Sequence, residues 1–80
     1  MKITLPQKEI VKFLDTENIK YNIEDNSINL EELNITVLDA IFEKTKNVVL
    51  VYFENNEMII NEVTLKEAEN IIYQFMKKEI

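Results

Sequence analysis

Residues 48–63 constrain this chain more than any other stretch. Val48-Val49-Leu50-Val51-Tyr52-Phe53 and Met58-Ile59-Ile60 are rich in β-branched and aromatic residues, and they flank the polar Glu54-Asn55-Asn56-Glu57. Asn tolerates the left-handed conformation that a two-residue type I′ turn demands, so Asn55-Asn56 can take the place of the usual Asn-Gly. That turn fixes a register in which the numbers of paired residues sum to 111. One face of the hairpin then carries Phe53/Met58, Val51/Ile60 and Val49/Glu62, and the other Tyr52/Ile59, Leu50/Asn61 and Val48/Val63. Both faces are substantially apolar, which is unusual for a hairpin with one side in water. One must meet helices, and the other needs cover from more chain or from a partner. Val48, Leu50, Tyr52, Ile59 and Val63 are the candidate self-association face, most simply in a two-fold dimer, unless the N-terminal helix or a second hairpin covers them.

Helix signals surround this hairpin. Thr4-Leu-Pro-Gln7, Thr36-Val-Leu-Asp39 and Thr64-Leu-Lys-Glu67 share the capping-box spacing, in which the Thr hydroxyl accepts from the third amide and the third side chain reaches back. Pro6 sits in a first turn, where its missing N–H costs nothing. Ile10, Val11, Phe13 and Leu14 form one apolar arc. Leu38, Ile41, Phe42 and Thr45 repeat at the spacing of a buried helical face, and Leu65, Ala68, Ile71, Ile72, Phe75 and Met76 make a broad stripe. Glu67 and Glu69 at the start of the last segment, and Lys77 and Lys78 at its end, complement a helix dipole. The pattern predicts helices over about 5–17, 36–46 and 65–78, with strands 48–54 and 57–63: a single α+β domain built on a small antiparallel β-sheet.

Residues 19–34 read in two ways. Ile19–Glu24 and Ile28–Leu30 can form a second hairpin about Asp25-Asn26-Ser27, and a weak internal repeat supports this, since Glu24, Asn26 and Glu32 recur thirty residues later as Glu54, Asn56 and Glu62. The layout is then one helix followed by two ββα units. Alternatively Asn29-x-x-Glu32 caps a short helix from Leu30 to Asn34, and the order becomes winged-helix-like. The first reading is favoured.

An 80-residue chain forms one domain and buries little more than ~60% of the surface its unfolded form exposes. With no Cys and no His, neither a disulfide nor a Cys/His zinc site can staple it, so packing alone must hold it. No apolar run at the N-terminus reads as a signal peptide and none approaches transmembrane length, so a cytoplasmic location without membrane contact is expected. The heavy use of Ile, Asn, Lys and Glu suggests an AT-rich coding sequence, bacterial or from a phage or plasmid. No cofactor is expected, because no Gly-rich loop could cradle phosphate. Asp25-Asn26-Ser27-Ile28-Asn29-Leu30-Glu31-Glu32 alternates oxygen-bearing side chains, but Leu30 and Thr36 stand where a calcium loop needs Gly and Glu, so no metal site is expected. No carboxylate pair falls in a context that would separate two pKa values, and no Ser, Lys or Tyr stands beside a base. The chain reads as non-enzymatic.

The acid is concentrated. Between Asp15 and Glu43 lie eight carboxylates and one base, Lys20, a local charge of −7 in a chain of net charge −6. Glu24, Asp25, Glu31, Glu32, Asp39 and Glu43 are the candidate contact residues. Such an array suits docking on a basic protein partner, including a nucleic-acid-binding protein whose groove normally holds phosphates. In size and charge the chain resembles small acidic phage inhibitors, anti-CRISPR proteins among them, but no motif carries a family assignment. With no Arg and no basic patch between the chain ends, direct nucleic-acid binding is not expected. The functional expectation is a small regulator or inhibitor acting through protein contact; a winged-helix-like transcriptional regulator is the alternative.

Overall fold

The computed structural model describes residues 4–39 and 47–78. In chain order these form α1 (Leu5–Thr16), β1 (Asn22–Glu24), β2 (Ser27–Leu30), β3 (Ile35–Asp39), β4 (Val48–Glu54), β5 (Glu57–Val63) and α2 (Leu65–Lys78). The five strands make one antiparallel sheet in simple sequence order, β1-β2-β3-β4-β5. Each strand therefore pairs with its neighbour in sequence, as short connections favour.

Local chemistry explains most boundaries. Thr4 caps α1 in a complete capping box: its hydroxyl accepts from the Gln7 amide, and Gln7 Oε1 accepts from the Thr4 amide at 2.9 Å. The helix ends where Asn18 turns left-handed (φ 57°), and the Ile19 amide donates back to the Leu14 carbonyl at 2.9 Å, a Schellman closure. At the start of α2 the Glu67 amide donates to the Thr64 hydroxyl at 3.2 Å. Asn18, Asp25, Asn34, Asn55 and Asn56 are the described residues with positive φ. In a chain without glycine, every one of these left-handed positions has gone to Asn or Asp, whose side chains tolerate it best. The β4–β5 register is the one the Asn55-Asn56 turn dictates, from Val48↔Val63 to Glu54↔Glu57.

The expected middle helix, 36–46, is corrected. Thr36 to Asp39, read as the opening of a helix over 36–46, belong to β3; residues 40–46 of that span lie outside the described residues. Burial in β3 alternates, with Ile35 and Val37 buried and Thr36 and Leu38 only partly so, which is the two-residue period of a strand. Among the described residues the Thr36 hydroxyl caps no helix; it donates to Asn29 Oδ1 on β2 at 3.2 Å. The described residues thus hold two helices, not three. The winged-helix alternative fails with the same observation, because residues 31–34 are a turn and β3 stands where its recognition helix would begin. The double ββα repeat fails too, although its first hairpin is present, turning at Asp25-Asn26 with Glu24↔Ser27 closing the ladder.

Both helices lie on one face of the sheet. Ile10 and Leu14 of α1 and Ala68 and Ile72 of α2 join Ile28, Leu30, Ile35, Val37, Val48, Leu50, Tyr52 and Val63 in a single core. Two edge-on aromatic pairs bind α2 into it, Phe13–Tyr73 with ring centroids 5.2 Å apart and Tyr52–Phe75 at 5.4 Å.

Among the described residues one polar side chain is fully enclosed in this core. Gln7 donates through Nε2 to the Asn26 carbonyl in the β1–β2 turn and to the Val37 carbonyl in β3 at 3.3 Å, while its Oε1 accepts from Thr4. A single amide thus caps α1 and ties it to the sheet, with donors and acceptor all engaged, as burial requires. Gln7→Ala should lower unfolding free energy in urea by about 2 kcal/mol or more, since it opens a cavity and strands buried partners. The exposed substitution Lys12→Ala should change it by less than about 0.5 kcal/mol.

Candidate interaction surface

The alternation of each strand sends every second side chain away from the helices. Across the open face one row runs Asn22, Asn29, Thr36, Val51, Ile60, each residue the registered neighbour of the next. A second row holds Glu24 and Ser27 on one side and Leu38, Val49 and Glu62 on the other. Phe53 and Met58 form a third pair beside the β4–β5 turn. The open face is therefore divided across its width. Over β1, β2 and the start of β3 it is Asn, Ser, Thr and Glu, which water satisfies; over β4 and β5 it is Val, Phe, Met and Ile, with Glu62 near the end of β5.

On the apolar half, exposure rises along the hairpin. Val49 is buried and Val51 half-buried, whereas Phe53 is 56%, Met58 59% and Ile60 68% exposed. Three large apolar side chains on adjacent positions of two paired strands are a patch rather than scattered exposure. A cleft of about 300 Å³ adjoins it, lined by Asn29, Asn34, Thr36 and Phe53 among others, so amide and hydroxyl groups stand beside the aromatic ring. Of the hairpin's carboxylates, Glu62 lies on the same face beside Val49, whereas Glu54 and Glu57 flank the turn and, one step on from Phe53 and Met58, fall on the opposite face.

The residues expected to form a dimer face occupy the other side. Val48, Leu50, Tyr52 and Val63 are buried and Ile59 is half-buried, all within the core under α1 and α2. The candidate dimer face is corrected accordingly: the helices cover these five, and the apolar face that no described helix covers is the one through Phe53, Met58 and Ile60. The hairpin register supplied both sets, but nothing local in the sequence distinguished which would meet the helices.

The candidate acidic residues divide between the two ends of the sheet. Glu24 and Asp25 stand at the β1–β2 turn, and Asp39, at the end of β3, lies at the same end. Glu31 and Glu32 lie in the β2–β3 turn at the opposite end, a strand length away. These five are exposed; Glu43 lies outside the described residues. Glu32 is 4.0 Å from Lys20, an exposed pair that contributes little. The acid is thus a set of rims around the sheet rather than one continuous array.

Near the second rim, Tyr21 donates to Asp15 Oδ1 at 2.9 Å and closes the α1–β1 connection. That hydrogen bond to a carboxylate, with smaller contributions from burial and from the charge of Asp15, raises the Tyr21 pKa above the ordinary 10.0. Folding therefore favours the protonated phenol. The stabilisation is fully present below pH 10.0 and is lost as pH rises through the folded-state value. Unfolding free energy of the wild type should fall more steeply above pH 10.0 than that of Tyr21→Phe, measured side by side in urea.

Among the described residues no group of three or more Asp, Glu, His or Cys side chains could hold a metal ion, and no helix is long and apolar enough to cross a membrane. Comparison with protein-family models, curated proteins and solved structures returned no match.

Proposed function

We propose that this chain is a non-enzymatic protein-binding module that docks on a basic protein partner through the open face of β4 and β5. The observation that carries the reading is the exposed trio Phe53, Met58 and Ile60 on one sheet face, with Glu62 on the same face and Glu54 and Glu57 at the adjoining turn. An exposed apolar centre with polar and charged groups at its margin is the usual anatomy of a protein interface, with aromatic and Met side chains supplying contact area. The carboxylate rim selects a partner whose corresponding rim carries Lys or Arg, and steers its approach. The other acidic turns, with Glu24, Asp25, Asp39, Glu31 and Glu32, extend the same negative field to both ends of the sheet. A net charge of −6 without Arg supports a protein rather than a nucleic-acid target, and a partner that itself binds nucleic acid supplies the required basic surface. Regulation or inhibition by occupying that surface is the role this chemistry serves. A cytoplasmic setting suits a chain without cysteine, and a phage or plasmid origin fits its small size and acidity.

A photo-crosslinking amino acid at position 53, in the cells that encode the chain, tests the reading. It should give one discrete adduct with a basic polypeptide, absent when the same probe replaces the exposed Lys12 of α1. Ile60→Asp should weaken binding to the captured partner roughly thirtyfold, and higher salt should weaken it further. Equal labelling from both positions, an adduct of the chain with itself alone, or retardation of duplex DNA by the chain at physiological salt would overturn the proposal.

A further inference from the structure

We infer that a second copy of this chain adds to the outer edge of β5, antiparallel and centred on Ile60, joining two five-strand sheets into one of ten. This goes beyond the docking of a basic partner and does not depend on it. β5 is the last strand of the sheet, and among the described residues nothing pairs with its outer side. It is seven residues long, against three in β1 at the opposite edge. Its register with β4 is unbroken over all seven, so no bulge twists the edge away. It carries no Pro, Lys or Arg, and its two charges, Glu57 and Glu62, are the only edge-blunting side chains on it.

The backbone pattern says which groups are offered. In a two-residue hairpin the pair flanking the turn, here Glu54 and Glu57, exchanges both ladder hydrogen bonds, and bonded and non-bonded pairs then alternate. The N–H and C=O groups of Met58, Ile60 and Glu62 accordingly point out from the edge. A two-fold axis at Ile60 opposes Ile60 to Ile60 of the second copy, Met58 to its Glu62, Glu57 to its Val63 and Ile59 to its Asn61. This register uses the whole strand and places its outward-pointing groups opposite one another. No carboxylate faces a carboxylate across it, although each chain carries −6. It also sets the two exposed Ile60 side chains together on the open face, extending the apolar stripe from Phe53 and Met58 of one copy to those of the other.

One strand pair falls at or below the lower end of the roughly 1,200–2,000 Å² that stable specific interfaces bury, so the association is weak and concentration-dependent. Salt gives it a signature opposite to that of basic-partner binding. Two chains of like net charge associate more tightly as salt screens their repulsion.

Light scattering across roughly 1 to 500 µM should show the mass rising toward twice that of the monomer, at lower concentration in about 1 M than in about 0.1 M salt. Ile60→Lys should stay monomeric while keeping its circular dichroism spectrum, since two ammonium groups would meet at the axis. The chain has no cysteine, so single-cysteine variants report the register directly. A mixture of Met58→Cys and Glu62→Cys should form a mixed disulfide on mild oxidation, whereas Phe53→Cys alone should not cross-link. A monomeric mass throughout, or a dimer that survives Ile60→Lys without the mixed disulfide, would overturn the inference. Neither result bears on capture of a basic partner.

Discussion

A sheet has two faces, and this chain has two described helices to cover them. Both helices lie on the same side, where Ile10, Leu14, Ala68 and Ile72 complete a core with the inward residues of β2 to β5. Burying one face well was the stable choice for so short a chain, because dividing the helices would have left two thin cores with more exposed apolar area. Everything else about the molecule follows from how it treats the face left open. Over β1 and β2 the outward positions are Asn22, Glu24, Ser27 and Asn29, and water is an adequate partner for them. Over β4 and β5 they are Val51, Phe53, Met58 and Ile60, and water is not. The division runs across a single continuous sheet, so neither the backbone nor the fold class requires it.

Gln7 shows how the covered face is aligned. A wholly apolar contact between α1 and the sheet would be non-directional, and a small rotation of the helix would leave its burial nearly unchanged. Hydrogen bonds from one enclosed amide to the carbonyls of Asn26 and Val37, and from Thr4 back to it, fix helix and sheet in one arrangement. The β1–β2 turn is thereby anchored even though β1 is only three residues long and lies at an edge.

Much of this was legible in the residues, and the exceptions share a cause. The β4–β5 register, the Asp25 turn and the limits of α2 are decided within a few residues by turn chemistry and periodicity, and sequence reasoning found them. Thr36–Asp39 failed because Thr-x-x-Asp followed by apolar residues three and four apart is also compatible with the alternation Ile35, Val37; pairing with β2 and β4 decided for the strand. The hairpin gave two apolar sets, and which one met the helices depended on where α1 and α2 docked, a tertiary fact that no local pattern encodes. Gln7 was visible as a cap, but its reach across to Asn26 and Val37 was not. The acidic window was contiguous along the chain, and the meander sent its members to opposite ends of the sheet.

The central claim is that the apolar half of the open face belongs to association and not to the stability of the single chain. The triple variant Phe53→Thr, Met58→Thr, Ile60→Thr keeps strand preference while removing the patch. Its unfolding free energy, measured in urea at low micromolar concentration, should lie within about 1 kcal/mol of the wild type, because exposed side chains contribute little. A loss of about 3 kcal/mol or more would mean that these side chains are packed within the folded monomer, and the account of an open contact face would be wrong.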